Sequence, residues 1–472
     1  MAKVRGRRVY LCQQCGEETP QWLGKCPHCG AMNAISETPL QVPEVHPSPR
    51  SWSGATLTEP QELATLSHQE ERRLPLPSGE MNRVLGGGLV PGSLVLMAGE
   101  PGVGKSTLLL QMGDAVAAQY GKTLYLSGEE SAYQVKMRAH RLGIAGQHLY
   151  FLAETDVEEA LARLDQMRPT LAIVDSIQTL ATVDIASSPG SVAQVRECTR
   201  RLLQWAKARE VPLLLAGHVT KEGDVAGPRV LEHMVDVVLY LEGEPLSTLR
   251  LLRSVKNRFG STNEVGVFQM ESRGLVEVED PSRALLAQRR EDAIGSAIVP
   301  VLEGTRPLLV EVQALTFPSG LAVPRRIASG FETNRLVMLA AVVAQRTGLA
   351  TAGQDIILNI AGGLRIAEPA ADLAVALALA SSLRQRPLPT DLVALGEVGL
   401  TGELRSVPQV ERRLSEAARL GFRRCLLPPA GLGHLPRPKG LQLQLVESLA
   451  AALRAALPRE QHPRKGPAAL EP

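Results

Sequence analysis

The 472-residue chain is poor in aromatic side chains: six Tyr, six Phe and three Trp make up only 3% of it. Base stacking on aromatic platforms is thereby excluded as its main way of holding a nucleic acid. It also lacks a strong charge of either sign. Lys and Arg number 51 against 49 Asp and Glu, a formal charge of +2, so contact with a polyanion has to come from local clusters. No run of about 18 apolar residues occurs, which argues against a membrane span. The basic start Met1-Ala-Lys-Val-Arg-Gly-Arg-Arg8 has no apolar stretch behind it, which argues against a secretory signal. A cytoplasmic protein is the expectation. Cysteine is scarce too, six in all, and Cys198 and Cys425 stand alone, as small buried apolar residues do.

The other four cysteines are grouped. Cys12-Gln-Gln-Cys15 and Cys26-Pro-His-Cys29 form two C-x-x-C pairs, each running into a glycine (Gly16, Gly30) that permits a tight turn. Four thiolates at this spacing close a tetrahedral structural Zn²⁺ site with no open position for catalysis. Disulfides or a rubredoxin-like iron knuckle are the alternatives. His28 reads as a bystander, because four cysteines fill the shell.

The most specific stretch is Gly99-Glu100-Pro101-Gly102-Val103-Gly104-Lys105-Ser106-Thr107. It is a complete G-x-x-x-x-G-K-[ST] phosphate loop between an apolar strand, Ser93 to Ala98, and a helical pattern. Its glycines let backbone N–H groups curl around phosphate oxygens, Lys105 reaches the β and γ phosphates of a nucleoside triphosphate, and Ser106 offers its hydroxyl to Mg²⁺. Leu171 to Val174 is a second apolar strand ending in Asp175, the position from which a carboxylate holds Mg²⁺ through water. Ser127-Gly-Glu-Glu-Ser131 follows a third. There Glu129 is the better candidate to polarise the attacking water, with Glu130 as the alternative. Gly217-His218-Val-Thr220-Lys221 ends a further strand, where His218 or Thr220 is placed to sense the γ-phosphate; a plain turn is the alternative.

The chain divides by composition. Residues 1–35 form the cysteine module, and 36–76, rich in Pro, Ser, Thr and Glu, read as a linker. Residues 77–283 alternate strands with helices, which argues for a mostly parallel α/β sheet. Residues 284–457 carry their own strands, such as Leu308 to Val312, and alanine-rich helices, such as Ala370 to Ser382, and should form a separate domain. Residues 458–472 are a charged, proline-bearing tail.

Taken together, the phosphate loop, Glu129 and Glu130, Val174-Asp175-Ser176, Gly217 to Gly223 and Lys256-Asn-Arg-Phe-Gly260 resemble the bacterial RadA (Sms) family of RecA-like ATPases. Gly227-Pro-Arg-Val-Leu-Glu-His233 and the four-cysteine N-terminus are similar as well. The resemblance covers nearly the whole chain, and Lys256 to Gly260 carry the family's own signature. It implies an α/β fold with a RecA-like core, an N-terminal four-cysteine zinc module and a C-terminal Lon-protease-like α+β domain. It also implies a hexameric, DNA-dependent ATPase that encircles single-stranded DNA. Such a ring drives branch migration in recombinational repair, together with the RecA recombinase. Lys256 and Arg258 would reach the neighbouring subunit's nucleotide, where a guanidinium stabilises transition-state charge, or couple it to DNA; a basic strand end meeting solvent is the alternative. Ile360 to Ser382 and Leu395 to Pro428 resemble the Lon proteolytic domain, whose serine and lysine positions fall here on Ala370 and Glu411. The implied role is an oligomerisation platform without peptidase activity, with Arg325 and Arg326 as candidate DNA contacts.

Overall fold

A tight knuckle needs a residue that tolerates positive φ, and Gly16 (φ 73°) and Gly30 (φ 76°) supply it after each cysteine pair. Their N–H groups donate back to Cys12 O at 2.9 Å and Cys26 O at 3.0 Å. Around the knuckles, strands β1 (Arg8–Cys12), β2 (Glu18–Thr19) and β3 (Ile35–Pro39) pair antiparallel in the order β2-β1-β3. The buried apolar centre is little more than Cys12, Cys26 and Ile35, too small to hold a fold without a metal. In this computed structural model the described residues are 8–19, 21–39, 72–218, 230–243, 247–429 and 438–457.

The chain divides into two compact units, Met1–Val278 and Glu279–Pro472. Two expected boundaries shift. β3 pairs with β1 as far as Pro39, so the module runs past residue 35. The second unit starts before residue 284, because helix Pro281–Leu286 packs on a strand of that unit. The expected linker lies outside the described residues from 40 to 71. Residues 72–76 already belong to the body, since Leu74 bridges Leu89 and Arg73 donates to Phe259 O at 2.7 Å. The expected tail, 458–472, lies outside the described residues.

After helix α1 (Gly79–Leu85) come β4 (Leu94–Gly99), α2 (Lys105–Tyr120), β5 (Thr123–Ser127), α3 (Ala132–Arg141), β6 (Leu149–Ala153), α4 (Val157–Met167), β7 (Leu171–Asp175), α5 (Val192–Arg209), β8 (Leu213–His218) and β9 (Val237–Glu242). These six strands run parallel. Then β10 (Leu249–Asn257), β11 (Val265–Glu271) and β12 (Gly274–Glu277) extend the sheet antiparallel. The sheet order is β12-β11-β10-β9-β4-β8-β7-β5-β6. Both faces are covered, as the continuous apolar strands require. Val95 and Met97 of β4 pack toward α1 and α2 in one core. Leu94 and Leu96 pack toward α4 and α5 in the other.

In the second unit α6 (Pro281–Leu286) precedes β13 (Ser296–Glu303), β14 (Arg306–Pro318), β15 (Arg326–Ser329), α7 (Thr333–Thr347), β16 (Gln354–Ile360) and α8 (Asp372–Arg384). Next come β17 (Leu392–Ala394), β18 (Glu397–Val398), β19 (Leu404–Arg405), α9 (Val410–Arg419), β20 (Arg424–Leu427), β21 (Gln442–Leu445) and α10 (Leu449–Ala456). The expected short strand around Leu308 is longer, 13 residues, because β14 pairs with β13 along its first half and β16 along its second. Pro369 ends the approach to α8 in a single 3₁₀ turn, Pro369–Ala371.

A guanidinium anchors this unit. Arg413 of α9 is fully buried and pairs in bidentate fashion with Glu368, at 2.7 and 2.6 Å, while donating to Pro300 O at 2.7 Å and Pro408 O at 3.1 Å. Removing one partner of a buried pair strands the other, at a cost of about 3–5 kcal/mol. Arg413→Ala should therefore lower the unfolding free energy of this unit by roughly 3 kcal/mol, read by denaturant titration. A loss below about 1 kcal/mol would show that water replaces the guanidinium there.

Candidate functional site

Helices α3, α4 and α5 each begin at a side chain that caps them: Ser131, Asp156 and Ser191. Helix α2 begins at Gly104 with no side-chain cap, so its first N–H groups are left for an anion at the positive end of the helix dipole. Gly104 is required there. Its φ is 117°, a backbone conformation that residues with a Cβ rarely adopt. The loop Gly99 to Gly104 thus joins the end of β4 to the start of α2, with Ser106 and Thr107 in the first turn.

Lys105 is buried at 4% exposure and its ammonium donates to Gly99 O at 2.9 Å and Glu100 O at 3.0 Å. Burial pulls its pKa below the ordinary lysine value, while the charges of Asp175 and Glu129 push it back up. Both carboxylates therefore face the lysine electrostatically. Asp175, at the end of β7, is 5% exposed and accepts from Tyr125 Oη at 2.5 Å. Ser176, next along, donates its hydroxyl to Glu129 Oε1 at 2.7 Å. Glu130 forms an ion pair with Arg138 of α3. Asp175 and Glu129 both act on the buried Lys105, and Glu130, beside Glu129, is engaged by Arg138.

Lys256 and Arg258 are not brought to this site within the chain. β10 runs antiparallel to β9 with Lys256 opposite Val238, and Val238 lies opposite Leu96. Arg258 N donates to Asp236 O, and Asp236 N donates to Leu94 O. Arg258 is therefore level with Leu94, five residues from Gly99 along β4, or roughly 17 Å at strand rise. Lys256 is held by the carbonyls of Glu232 (2.6 Å) and Val235 (2.8 Å). The Arg258 side chain is 53% exposed and pairs with Asp236 at 3.2 Å.

His218 ends β8 opposite Gly99. Val219 to Arg229, including Thr220 and Lys221, lie outside the described residues.

Three family models match: an AAA domain over residues 58–224, a rubredoxin metal binding domain over 10–37 and subunit ChlI of Mg-chelatase over 334–431. The DNA repair protein RadA of Bacillus subtilis (strain 168) is 49% identical over 458 residues, 97% of this chain and all of that protein. The chain belongs to the RadA family of DNA repair proteins. The RadA protein of Escherichia coli (strain K12) is 48% identical, over 96% of this chain and 99% of that protein. A KaiC-like protein of Pyrococcus horikoshii aligns with a TM-score of 0.37 at 19% identity, over 44% of this chain and 99% of that one.

Membership brings a RecA-like ATPase core that hydrolyses ATP with Mg²⁺, a zinc ribbon and a Lon-like C-terminal domain. The donors present fit these cofactors. A buried carboxylate and a serine hydroxyl are hard oxygen donors of the kind Mg²⁺ takes. The four cysteine sulfurs all lie within 4.8 Å of one another. Cys12 to Cys29 measures 3.7 Å and Cys15 to Cys26 3.5 Å. A tetrahedron with Zn–S bonds of 2.3 Å has edges of about 3.8 Å, so the set is spaced for one zinc ion. Among the described residues no helix is long and apolar enough to cross a membrane.

In the Lon-like unit, Ala370 is buried in the Pro369–Ala371 turn, and Glu411 is exposed in the first turn of α9. The α9 cation clamped to Glu368, two residues from Ala370, is Arg413, not the aligned Glu411. Arg325 is bound to Asp355 at 3.0 Å, and Arg326 donates to Thr351 O at 3.0 Å and to Gln354 O. Both guanidiniums are engaged in holding β15 against the start of β16.

Arg250 escapes sequence reading altogether. It is buried on β10 and donates through Nε to Val103 O at 3.1 Å, bracing the phosphate loop from behind. No motif surrounds it, and only the sheet order reveals its place.

Because the module's own core is minimal, Cys26→Ser should reduce bound zinc, measured by elemental analysis, from about one ion per chain to well below half. The unfolding transition of the α/β unit should stay put. A shift of that transition would show that the module is structurally bound to it.

Proposed function

We propose that the chain is an ATP-driven, ring-shaped motor on single-stranded DNA that promotes branch migration of recombination intermediates, in partnership with the RecA recombinase. In this reading Lys105 and the backbone of Gly99 to Thr107 hold the phosphates, and Ser106 and Asp175 hold Mg²⁺. Glu129 orients the attacking water, with Ser176 steadying its carboxylate. The protein assembles as a hexamer, and its DNA is single-stranded or branched.

One observation carries the reading. Lys256 and Arg258 stand at the end of the sheet opposite their own phosphate loop, so any part they take in hydrolysis has to be at another subunit's nucleotide. A cation supplied in trans makes turnover depend on assembly. Arg258, half exposed, is the better placed to reach across, while Lys256 shapes the turn that precedes β9. Recognition of DNA falls to backbone phosphate contacts in a channel, which suits a chain with few aromatics and predicts sequence-independent, salt-sensitive binding.

The Lon-like unit is read as a platform for assembly without peptidase activity. The position of the serine nucleophile is a buried alanine, and the neighbouring cation is a guanidinium that remains protonated and cannot serve as a base.

The test is ATP hydrolysis with and without single-stranded DNA, alongside branch migration of a three-strand intermediate. Lys105→Ala should abolish hydrolysis. Arg258→Ala should bind ATP within about threefold of the parent yet lose at least about tenfold of the DNA-stimulated rate, with branch migration. Normal branch migration by Arg258→Ala would sink the proposed role in trans.

A further inference from the structure

Tyr125 sits in the middle of β5 at 1% exposure, in the core shared by Val95, Met97, Ile173 and Leu214. Those positions are filled by purely apolar side chains. Phenylalanine would fill the tyrosine's place without bringing a hydroxyl that needs a partner. The partner is Asp175. Tyr125 lies opposite Ile173 on the adjacent β7, and side chains two residues apart on a strand share a face. Asp175 is therefore on the same face, one step of roughly 6.6 Å further along. The phenol spans that step, and Oη donates to Asp175 Oδ2 at 2.5 Å.

We propose that Tyr125 is a positioning residue for ATP hydrolysis: its hydroxyl occupies one oxygen of Asp175 and fixes the carboxylate for Mg²⁺ without touching nucleotide or metal itself. This rests on the reading of Asp175 as the metal-side carboxylate. A carboxylate at the end of a strand can turn about χ1 and χ2, and a buried one left without a donor bears the full desolvation of its charge. The tyrosine removes both liabilities from within the sheet. The remaining oxygen is then aimed by the packing of a rigid strand, as the supporting shell of a precise metal site requires.

The experiment uses the full-length protein and a fluorescent ATP analogue whose affinity is measured in EDTA and across a Mg²⁺ titration. Tyr125→Phe should raise the Mg²⁺ concentration for half-maximal tightening by about tenfold or more, the loss of one hydrogen bond to a charged group. Affinity in EDTA should be unchanged. In an Asp175→Asn background the same substitution should add nothing, since the two act as one unit. Site-specific 3-fluorotyrosine at position 125, which keeps both ring shape and donor, should leave the midpoint within about twofold. Should Tyr125→Phe fail to fold, site-specific 4-aminophenylalanine at position 125, which keeps the ring and offers a weaker donor, should raise the midpoint by about two- to threefold, and an unchanged midpoint there would overturn the proposal. An unchanged Mg²⁺ midpoint in Tyr125→Phe, or an equal loss of affinity in EDTA and in Mg²⁺, would overturn the proposal. Asp175→Asn with a normal midpoint would overturn the reading beneath it, a result distinct from either.

Discussion

The parallel pairing of β4 on both its edges is the constraint on which the first unit depends. β8 and β9 lock it in register from Leu94 to Gly99, and this fixes what lies at each end. At the C-terminal end the chain leaves the sheet through the phosphate loop into α2. At the N-terminal end Leu94 N donates to the buried carboxylate of Asp236, which also holds Arg258. A one-residue slip would exchange the two faces of the strand. It would bring Leu94 and Leu96 into the core meant for Val95 and Met97, and would displace the loop. The rigidity of the strand therefore separates phosphate binding from the basic signature by a set distance, and makes a second subunit necessary if both are to meet one nucleotide.

Around that strand the site is organised by charge in a desolvated setting. The Lys105 ammonium is stripped of water and satisfied by loop carbonyls, with Asp175 and Glu129 supplying the opposing charge. Such an arrangement is prepared for phosphate: the lysine's carbonyl contacts are exchangeable for phosphate oxygens, and the carboxylates are steadied by Tyr125 and Ser176. Preorganised charge of this kind is where phosphoryl-transfer sites derive most of their effect. Tyr125 and Ser176 hydrogen-bond to those carboxylates, and Arg250 donates to the loop at Val103 O.

Much of this was legible in the sequence, and the rest was not, for identifiable reasons. The phosphate loop and the four cysteines are contiguous motifs in which each residue's chemistry demands its spacing, so Gly99 to Thr107 and Cys12, Cys15, Cys26 and Cys29 could be read without a fold. What separates Glu129 from Glu130 is Arg138, eight residues on in α3, which pairs with Glu130, and nothing in the Glu-Glu dipeptide itself marks that. Arg250 and Tyr125 act through contacts 147 and 50 residues distant in sequence, and nothing local marks them. The alignment puts the lost lysine at Glu411, and nothing local showed that the buried, structural cation of α9 is Arg413, two residues later. The arginine pair at 325 and 326 read equally as DNA contacts or as a solvated pair, and sequence does not display the Asp355 carboxylate that Arg325 engages. The sheet was expected to be mostly parallel, and the antiparallel strands β10 to β12 were missed because their apolar runs differ little from those of parallel strands.

The central claim is that one catalytic centre takes its phosphate-binding lysine from one subunit and its arginine from the next. It is tested most directly by mixing two inactive variants, Lys105→Ala and Arg258→Ala, under conditions that exchange subunits, and measuring DNA-stimulated ATP hydrolysis. Each interface then has a one-half chance of an intact lysine and a one-half chance of an intact arginine. An equal mixture should therefore recover about a quarter of the parent's rate. A mixture no more active than its separate components would contradict the account.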